Sequence, residues 1–292
     1  MSTIEQAMSK LNNEKKLNKS IQNVGKKEKI AVKQSVTHEK VIDNKVLLID
    51  EQHLQNLGMV GGELNHQNKK INDEYRAIKH KIVNNAFGPL SKINTNSNLI
   101  MVSSANPNEG KTFNAINLAL SLSLEKDKSV LLVDADVLNP SVSKTLNIGK
   151  MPGLIDYLVS DDLDAGEVIY NTSNPNLRLM PAGTSHHLSY ELLASDKMFT
   201  LAQELANRYS DRIVIFDCPP LLGVIETISL SKLVGQIVVV VEQEKTKIAD
   251  IKQAVAQLDK EIAIGFIVNK AVHKVFGQYG YGYGYGYGEK NQ

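Results

Sequence analysis

From Tyr75 onward, two patterns of apolar residues alternate along the chain. Short continuous apolar runs, typical of buried strands, alternate with stretches that repeat apolar residues every three or four positions, which is typical of helices. The runs predict strands over residues 99–103, 130–134, 177–181, 213–217, 237–241 and 263–269. The stretches between them predict helices over 112–125, 191–209, 226–233 and 246–258, and an apolar stripe predicts another helix over 75–86. We therefore expect an α/β fold with a mostly parallel sheet and helices on both faces.

The two ends of the chain do not follow these patterns. Residues 1–70 have twelve Lys, eight acidic residues and no aromatic residue, which is typical of flexible chain. A short apolar group within 45–58 is the exception, and it predicts a short helix or docking peptide. The other end alternates Tyr and Gly, a composition that disfavours packing. We expect a flexible segment over 1–70, a folded domain over 71–277 and a mobile tail over 278–292.

Composition narrows the class of protein. The 292 residues have 33 Lys plus Arg and 32 Asp plus Glu, so no basic surplus indicates a nucleic-acid partner. Cys218 is the single cysteine, which excludes a disulfide framework. No apolar run reaches the roughly 20 residues that span a bilayer, and no secretory signal is visible, so we expect a cytoplasmic protein.

A phosphate-binding motif follows the first predicted strand. The sequence from Ala105 to Thr112 fits the pattern GxxxxGK[ST], with Ala in place of the first Gly. In this motif, backbone N–H groups surround phosphate oxygens, the Lys reaches the β/γ-phosphates and the hydroxyl binds Mg²⁺. The expected nucleotide-binding residues are Asn108, Glu109, Gly110, Lys111, Thr112 and Phe113. The motif makes the expected fold one of the P-loop NTPase type.

Carboxylates end two further predicted strands. Asp134 and Asp136 follow one apolar run, and Asp217 ends another. Because parallel strands end at the same edge of a sheet, these groups should lie near the P-loop. Thr112, Asp134 and Asp217 are the expected metal ligands, and Lys111, Asp134 and Asp136 are the expected catalytic residues, with one Asp as a base. His186 and His187 lack the further ligands that a metal site needs.

These motifs resemble those of the bacterial tyrosine kinases that regulate exopolysaccharide synthesis. The matching parts are the loop ending at Thr112, the strand with Asp134 and Asp136, the strand ending at Asp217, and the tyrosine-rich tail. In detail, the sequence looks like the branch associated with exosortase gene clusters. The resemblance implies ATP and Mg²⁺ as cofactors, and it implies Asn269 near the adenine. It also implies autophosphorylation of the tail tyrosines Tyr279, Tyr281, Tyr283, Tyr285 and Tyr287.

The resemblance also implies partners. Family members form a ring through a helix that here contains Asp73, Arg76 and Lys79, and a membrane-embedded chain-length protein activates them. That activator would be a separate polypeptide, which would recruit the kinase to the inner membrane, and a tyrosine phosphatase would oppose it. The chain departs from the family after the second acidic strand, where Leu138 and Asn139 replace basic residues.

Two other functions fit parts of the sequence. A partition- or division-type ATPase switch shares the P-loop, but those relatives have another Lys early in the loop, where this chain has Ala105 and Asn106. An adaptor without turnover would fit the missing basic residues, although Lys111, Thr112 and all three strand-end Asp residues are present.

Overall fold

The computed structural model describes residues 46–60, 69–92 and 95–272, all within one compact unit, Asn44–Gln292. The strands in these ranges are β1 (Leu99–Ser104), β2 (Ser129–Asp134), β3 (Tyr170–Asn171), β4 (Leu177–Met180), β5 (Arg212–Asp217), β6 (Gln236–Glu242) and β7 (Ala263–Asn269). They form one sheet in the order β3-β4-β2-β5-β1-β6-β7. Only β3, which pairs with β4, is antiparallel. The predicted mostly parallel sheet is confirmed, and all six predicted strands are present to within one residue at each end.

Helices connect the strands and cover the sheet. They are α1 (Glu51–Asn56), α2 (Lys69–Phe87), α3 (Lys111–Leu122), α4 (Val142–Thr145), α5 (Leu154–Val159), α6 (Ser189–Leu193), α7 (Asp196–Asn207), α8 (Ile225–Ser231) and α9 (Ile248–Val255). Short 3₁₀ turns occupy Pro89–Lys92 and Ala165–Val168. None of the helices in the described ranges is both long enough and apolar enough to cross a bilayer.

The single helix predicted over 191–209 is wrong, because the structure divides this stretch into α6 and α7. Ser195 lies between them in extended conformation, and its hydroxyl accepts a hydrogen bond from the backbone N–H of Met198 at 3.3 Å. A serine N-cap of this kind starts a new helix. The apolar pattern continues across the break because both helices bury residues against the same core.

The central strand β1 is buried on both faces of the sheet. Leu99 and Met101 pack in a core that includes residues of α5 to α9. Ile100 and Val102 point the other way, into a core formed with α1, α2 and α3. Because side chains alternate along a strand, a continuous apolar run is what a central strand between two helical layers requires.

The segment from residue 46 to residue 60 belongs to the second core. Leu54, Met59 and Val60 are buried, and the Val60 N–H donates to Asn117 Oδ1 on α3 at 2.7 Å. Leu47 exchanges backbone hydrogen bonds with Asn171 and Ser173 at 2.9 and 2.8 Å. The short helix expected within 45–58 is present as α1, so the expectation of flexible chain over 1–70 is wrong for these residues. Residues 1–45 lie outside the described ranges.

The topology brings three strand ends to one edge. Val102 of β1 is in register with Asp217 of β5, and Asp217 is in register with Asp134 of β2. The loop that follows β1 starts at the same edge. The sheet therefore places the P-loop and the strand-end carboxylates side by side.

Candidate active site

The loop between β1 and α3 has the backbone shape of a phosphate cradle. Asn108 and Gly110 have φ angles of 67° and 97°, in the left-handed region, and Gly110 precedes the first residue of α3. Asn tolerates this region better than most residues. Ala105, which replaces the first Gly of the motif, is buried and is not among the residues with positive φ, so the substitution requires no strained backbone. Such a loop, with the N-terminus of the helix that follows it, attracts anions.

The side chain of Glu109 holds the loop to the rest of the fold. Its buried carboxylate accepts hydrogen bonds from the Asn106 backbone N–H at 2.9 Å and from the Thr246 hydroxyl at 2.5 Å. Asn106 also donates to Asp250 Oδ2 at 3.1 Å. Glu109 can therefore face a nucleotide only through its backbone.

Asn269 supports the loop from the end of β7. Its amide donates to the Glu109 carbonyl at 2.9 Å. The same amide lies so close to Gly110 that a Cβ atom there would collide with it. Close packing and a left-handed φ thus both require glycine at position 110. The predicted contact between Asn269 and adenine stays a prediction.

Lys111 and Thr112 contact the carboxylate that ends β5. The Thr112 hydroxyl donates to Asp217 Oδ2 at 2.6 Å, and Lys111 Nζ lies 3.7 Å from Asp217 Oδ1. Lys111 Nζ also lies 2.5 Å from Asp136 Oδ2. The ammonium group therefore bridges two carboxylates, one at the end of β5 and one in the loop that follows β2.

Asp134 is completely buried, as Asp217 is. Its Oδ2 accepts a hydrogen bond from the Val142 N–H at 3.1 Å, while its Oδ1 is buried without a hydrogen-bond partner. Oδ1 of Asp217 is likewise buried without one. Two carboxylate oxygens beside the P-loop thus have spare capacity to bind a proton or a cation.

Burial and mutual repulsion change the acidity of this cluster. Burial, followed by the negative charge of Asp217, raises the pKa of Asp134 to about 8. Burial also raises the pKa of Asp217, but Lys111 and the Thr112 hydrogen bond oppose it, and that pKa is about 6. Burial alone would lower the pKa of Lys111, but Asp217, Asp136 and Asp134 outweigh it and raise the pKa. At neutral pH the ligand-free site therefore retains a proton on Asp134.

The cluster has the donor chemistry that Mg²⁺ requires. Mg²⁺ binds to few protein oxygens and keeps water and phosphate ligands, and the hydroxyl of Thr112 and the free oxygens of Asp134 and Asp217 fit that need. Within the described ranges, no group of three or more His, Cys, Asp or Glu side chains is arranged to hold a metal by itself. His186 and His187 stack with ring centroids 4.3 Å apart, and His186 Nδ1 accepts a hydrogen bond from the Leu188 N–H.

Two contacts of the site were not predicted from the sequence. The hydroxyl of Ser141 lies 2.8 Å from Thr112 Oγ1, and because Thr112 donates to Asp217, Ser141 is the donor in this pair. On the other side of the loop, the Tyr75 hydroxyl donates to Asn114 Oδ1 at 2.7 Å, and the Asn114 amide donates to the Gly110 carbonyl at 2.9 Å. No local motif marks Ser141 or Asn114. Both become visible only when α2, α3 and the loop after β2 are placed together.

A cavity of about 980 Å³ begins at Val137, the residue after Asp136, although none of the three carboxylates lines it. It lies between the loop after β2, which contributes Leu138 and Pro140, and the end of β4, where Gly183 and Thr184 line it. Lys144 and Lys150 line it as well, and none of the lining residues is acidic. Leu138 and Asn139, at the positions where basic residues were expected, are exposed. The tail tyrosines, Tyr279 to Tyr287, lie outside the described residues.

The fold and the P-loop together define the broad class of protein to which this chain belongs. The AAA domain family AAA_31 matches residues 97–264, more than half of the chain and the part that contains the P-loop and all three carboxylates. The chain is therefore an AAA-domain protein with a P-loop, a fold that implies nucleotide binding.

Known proteins then narrow the class to one family. The tyrosine-protein kinase YwqD of Bacillus subtilis (strain 168) is 30% identical over 219 residues, which cover 73% of this chain and 88% of YwqD. The tyrosine-protein kinase ptk of Acinetobacter johnsonii is 32% identical over 175 residues, 59% of this chain. The kinase domain of the Escherichia coli tyrosine kinase ETK superposes with a TM-score of 0.61 at 24% identity, covers 73% of this chain and 80% of that domain, and shows a shared fold. This chain belongs to the bacterial tyrosine-protein kinase family.

The relatives differ in length. The match spans 23% of the Acinetobacter kinase and most of the Bacillus one. The expected assignment to the exosortase-associated branch is not tested by these relatives and stays a prediction.

Proposed function

We propose that this chain is an ATP-dependent protein-tyrosine kinase that phosphorylates its own tail tyrosines, Tyr279, Tyr281, Tyr283, Tyr285 and Tyr287. The observation that carries the proposal is the position of Lys111. Its ammonium lies at the mouth of the P-loop between Asp136 and Asp217, at 2.5 and 3.7 Å. Phosphoryl transfer depends on positioning and charge neutralisation, and this cluster supplies both.

The residues of the site have different roles in this proposal. The loop N–H groups and Lys111 bind the phosphates, and the network around Glu109 keeps the loop in shape. Thr112, Asp134 and Asp217 would hold Mg²⁺, which supplies positive charge to the phosphates when bound. Lys111 balances Asp136 and Asp217 in the ligand-free chain, and with a metal at the carboxylates it would be available to the phosphates.

The acceptor phenol needs a base because its pKa is about 10. Asp134 and Asp136 are the candidates, at the edge where the large cavity with Leu138 and Thr184 begins. Because the pKa of Asp134 is about 8 in the ligand-free chain, this residue could accept the phenol proton only once a bound cation had displaced its own proton. The cavity has room for a Tyr-Gly segment and presents no acidic side chain to a phosphorylated one.

The decisive experiment is a phosphotyrosine immunoblot of the purified chain after incubation with Mg·ATP. The parent should be labelled, Lys111→Met should not, and a variant with all five tail tyrosines changed to Phe should lose most label. Lys260→Met, an exposed lysine far along the chain, is the matched control and should label as the parent does. Equal labelling of Lys111→Met and the parent refutes the proposal.

Two results would favour one of the alternative functions over the kinase. Phosphate release without any labelling indicates an ATPase switch. Label that forms only after an active kinase is added indicates an adaptor.

We also propose a second copy of this chain as a partner, through the exposed face of α2. Asp73 and Arg76 pair at 3.1 Å on that face, with side chains 50% and 64% exposed. Lys79, predicted for the same contact, instead pairs with Glu125 at 2.6 Å within the subunit and is almost enclosed. The ring contact should therefore use Asp73 and Arg76, and Arg76→Glu should lower the mass measured by light scattering.

The family resemblance supports the wider setting. We propose that a separate membrane-embedded chain-length protein activates the kinase and recruits it to the inner membrane, and that a tyrosine phosphatase reverses the modification. The output is control of exopolysaccharide synthesis and export. Co-purification of the dephosphorylated chain with such a membrane protein, and its loss when the tail is fully phosphorylated, would test the coupling.

A further inference from the structure

A second cavity, of about 240 Å³, lies at the opposite edge of the sheet from the P-loop. Arg212 is the first residue of β5, whereas Asp217 at the P-loop is the last, and six strand residues span roughly 17 Å. The residues that line the cavity include Arg178, Arg208, Arg212, Tyr209, Ile169 and Leu205. The cavity is therefore separate from the proposed kinase site.

Arg212 lines this cavity and has an unused, buried donor. The residue is only 4% exposed, and its Nε is buried without a hydrogen-bond partner. Its guanidinium stacks on the ring of Tyr209, 3.8 Å from the centroid. A buried charged donor without an acceptor is costly, so a ligand that accepts from it would bind favourably.

The cavity has a surplus of positive charge. Within the described ranges no ion pair joins Arg178 or Arg212 to a carboxylate, while Arg208 pairs with Glu204 at 2.6 Å. Glu204 is the one acidic residue of the lining, which contains three arginines. Burial, and then the charge of Arg178, lower the pKa of Arg212, while Asp211 and Tyr209 partly offset this. The guanidinium groups are thus close enough to repel one another.

We propose that this cavity binds the phosphate group of an aryl phosphomonoester, with phosphotyrosine as the natural ligand. A guanidinium group binds two phosphate oxygens at once through its paired N–H donors, and in the described part of the chain no carboxylate occupies Arg178 or Arg212. Tyr209, Ile169 and Leu205 form an apolar wall against which a phenyl ring can pack. The cavity is smaller than the roughly 300–1,000 Å³ of pockets for larger ligands, which suits one phosphate and part of a ring.

The source of that ligand is the tail of this chain, a step that rests on the proposed function. Tyr279 follows the last residue of β7 by ten positions, a reach of up to about 33–36 Å for extended chain. β7 runs parallel to its neighbours and ends at the P-loop edge, so the cavity lies about 14 Å across the sheet and about 17 Å along the strands, roughly 22 Å in all. A phosphorylated tail can therefore reach the cavity of its own or a neighbouring subunit, where binding would remove it from the kinase site.

The test uses calorimetric titration of the full-length chain carrying Lys111→Met, which removes phosphate binding at the P-loop. The probes are phenyl phosphate, inorganic phosphate, and synthetic peptides of residues 279–287 with and without phosphate on Tyr283. Phenyl phosphate and the phosphopeptide should bind, inorganic phosphate should bind more weakly, and the unmodified peptide should not bind. Arg178→Gln should weaken phenyl phosphate binding at least tenfold, whereas Lys260→Gln, at an exposed lysine that does not line the cavity, should leave it unchanged.

Three outcomes decide the proposal. Binding that Arg178→Gln does not weaken overturns the site, and so does equal affinity for the two peptides. Phenyl phosphate binding without phosphopeptide binding overturns the tail as the source. None of these measurements needs kinase activity, so failure of the proposed function, seen as unlabelled parent chain, is a separate result. Because Arg178 is only partly buried, its replacement avoids the folding risk of replacing the buried Arg212.

Discussion

At the scale of single residues, Asp134 links the active site to stability. Its pKa is about 8 in the folded chain, and an unfolded Asp has a pKa of about 3.9. The folded chain therefore binds the proton more tightly than the unfolded chain. The resulting stabilisation is complete below about pH 4 and is lost as the pH rises to about 8.

We expect the ligand-free parent to lose about 1–3 kcal/mol of unfolding free energy from Asp134 between pH 6 and pH 8. Asp134→Asn cannot ionise at this position, so it should lose clearly less unfolding free energy between pH 6 and pH 8. At pH 8 it should be more stable than the parent. Urea denaturation at several pH values measures both. Asp162→Asn, at an exposed position, should keep the slope of the parent. Parallel slopes for Asp134→Asn and the parent would contradict the buried, protonated carboxyl.

Tyr75 connects α2 to the P-loop through Asn114. Tyr75→Phe removes the donor to Asn114 Oδ1 and leaves a buried acceptor unsatisfied, which costs about 1–3 kcal/mol. Because Asn114 also holds the Gly110 carbonyl, we expect nucleotide affinity to fall severalfold. Denaturation and nucleotide titration report the two effects separately.

The control for that substitution is Tyr190→Phe, since Tyr190 is 40% exposed. Tyr190→Phe should change neither the unfolding free energy nor the nucleotide affinity. Reduced stability with unchanged nucleotide affinity in Tyr75→Phe would show that Tyr75 only packs and does not position the loop.

At the scale of elements, the segment containing α1 is a structural part of the domain. Leu54 is 2% exposed, whereas Leu48, six positions earlier, is 78% exposed. Leu54→Ala should cost about 2–4 kcal/mol of unfolding free energy, the range for large-to-small changes in a core. Leu48→Ala should cost less than about 0.5 kcal/mol. Similar values for the two variants, measured by chemical denaturation, would show that α1 does not pack as described.

The elements also show where sequence patterns lose information. The strands were predictable because a strand buried on both faces needs a continuous apolar run, and β1 is such a strand. The break between α6 and α7 was not predictable from the sequence. Both helices bury residues against the same core, so the apolar pattern continues across Ser195, although one helix ends before this residue and the next begins after it. The two-residue strand β3 is too short to leave a pattern at all.

At the scale of the whole molecule, a ligand at the P-loop edge should stabilise the entire fold. Four elements meet there: β1 and α3 through the loop, β2 through Asp134 and β5 through Asp217. At a concentration of Mg·ADP 100 times its Kd, linkage gives about 2.7 kcal/mol, or roughly 5–10 °C in Tm. Thermal denaturation should show this shift in the parent and in Lys260→Met, and little or none in Lys111→Met. A full shift in Lys111→Met would place the nucleotide elsewhere.

The sequence by itself determined the parallel sheet, the P-loop and the set of strand-end carboxylates. Each is a local pattern, a run or a spacing of a few residues, and local backbone preferences are sufficient to form it. Only the tertiary structure decided which side chains meet. The contact of Asn269 with Glu109 joins residues 160 positions apart, and that of Tyr75 with Asn114 joins residues 39 apart. Such contacts, like the three arginines at the opposite edge, depend on how helices and strands pack, and no short segment of sequence specifies that packing.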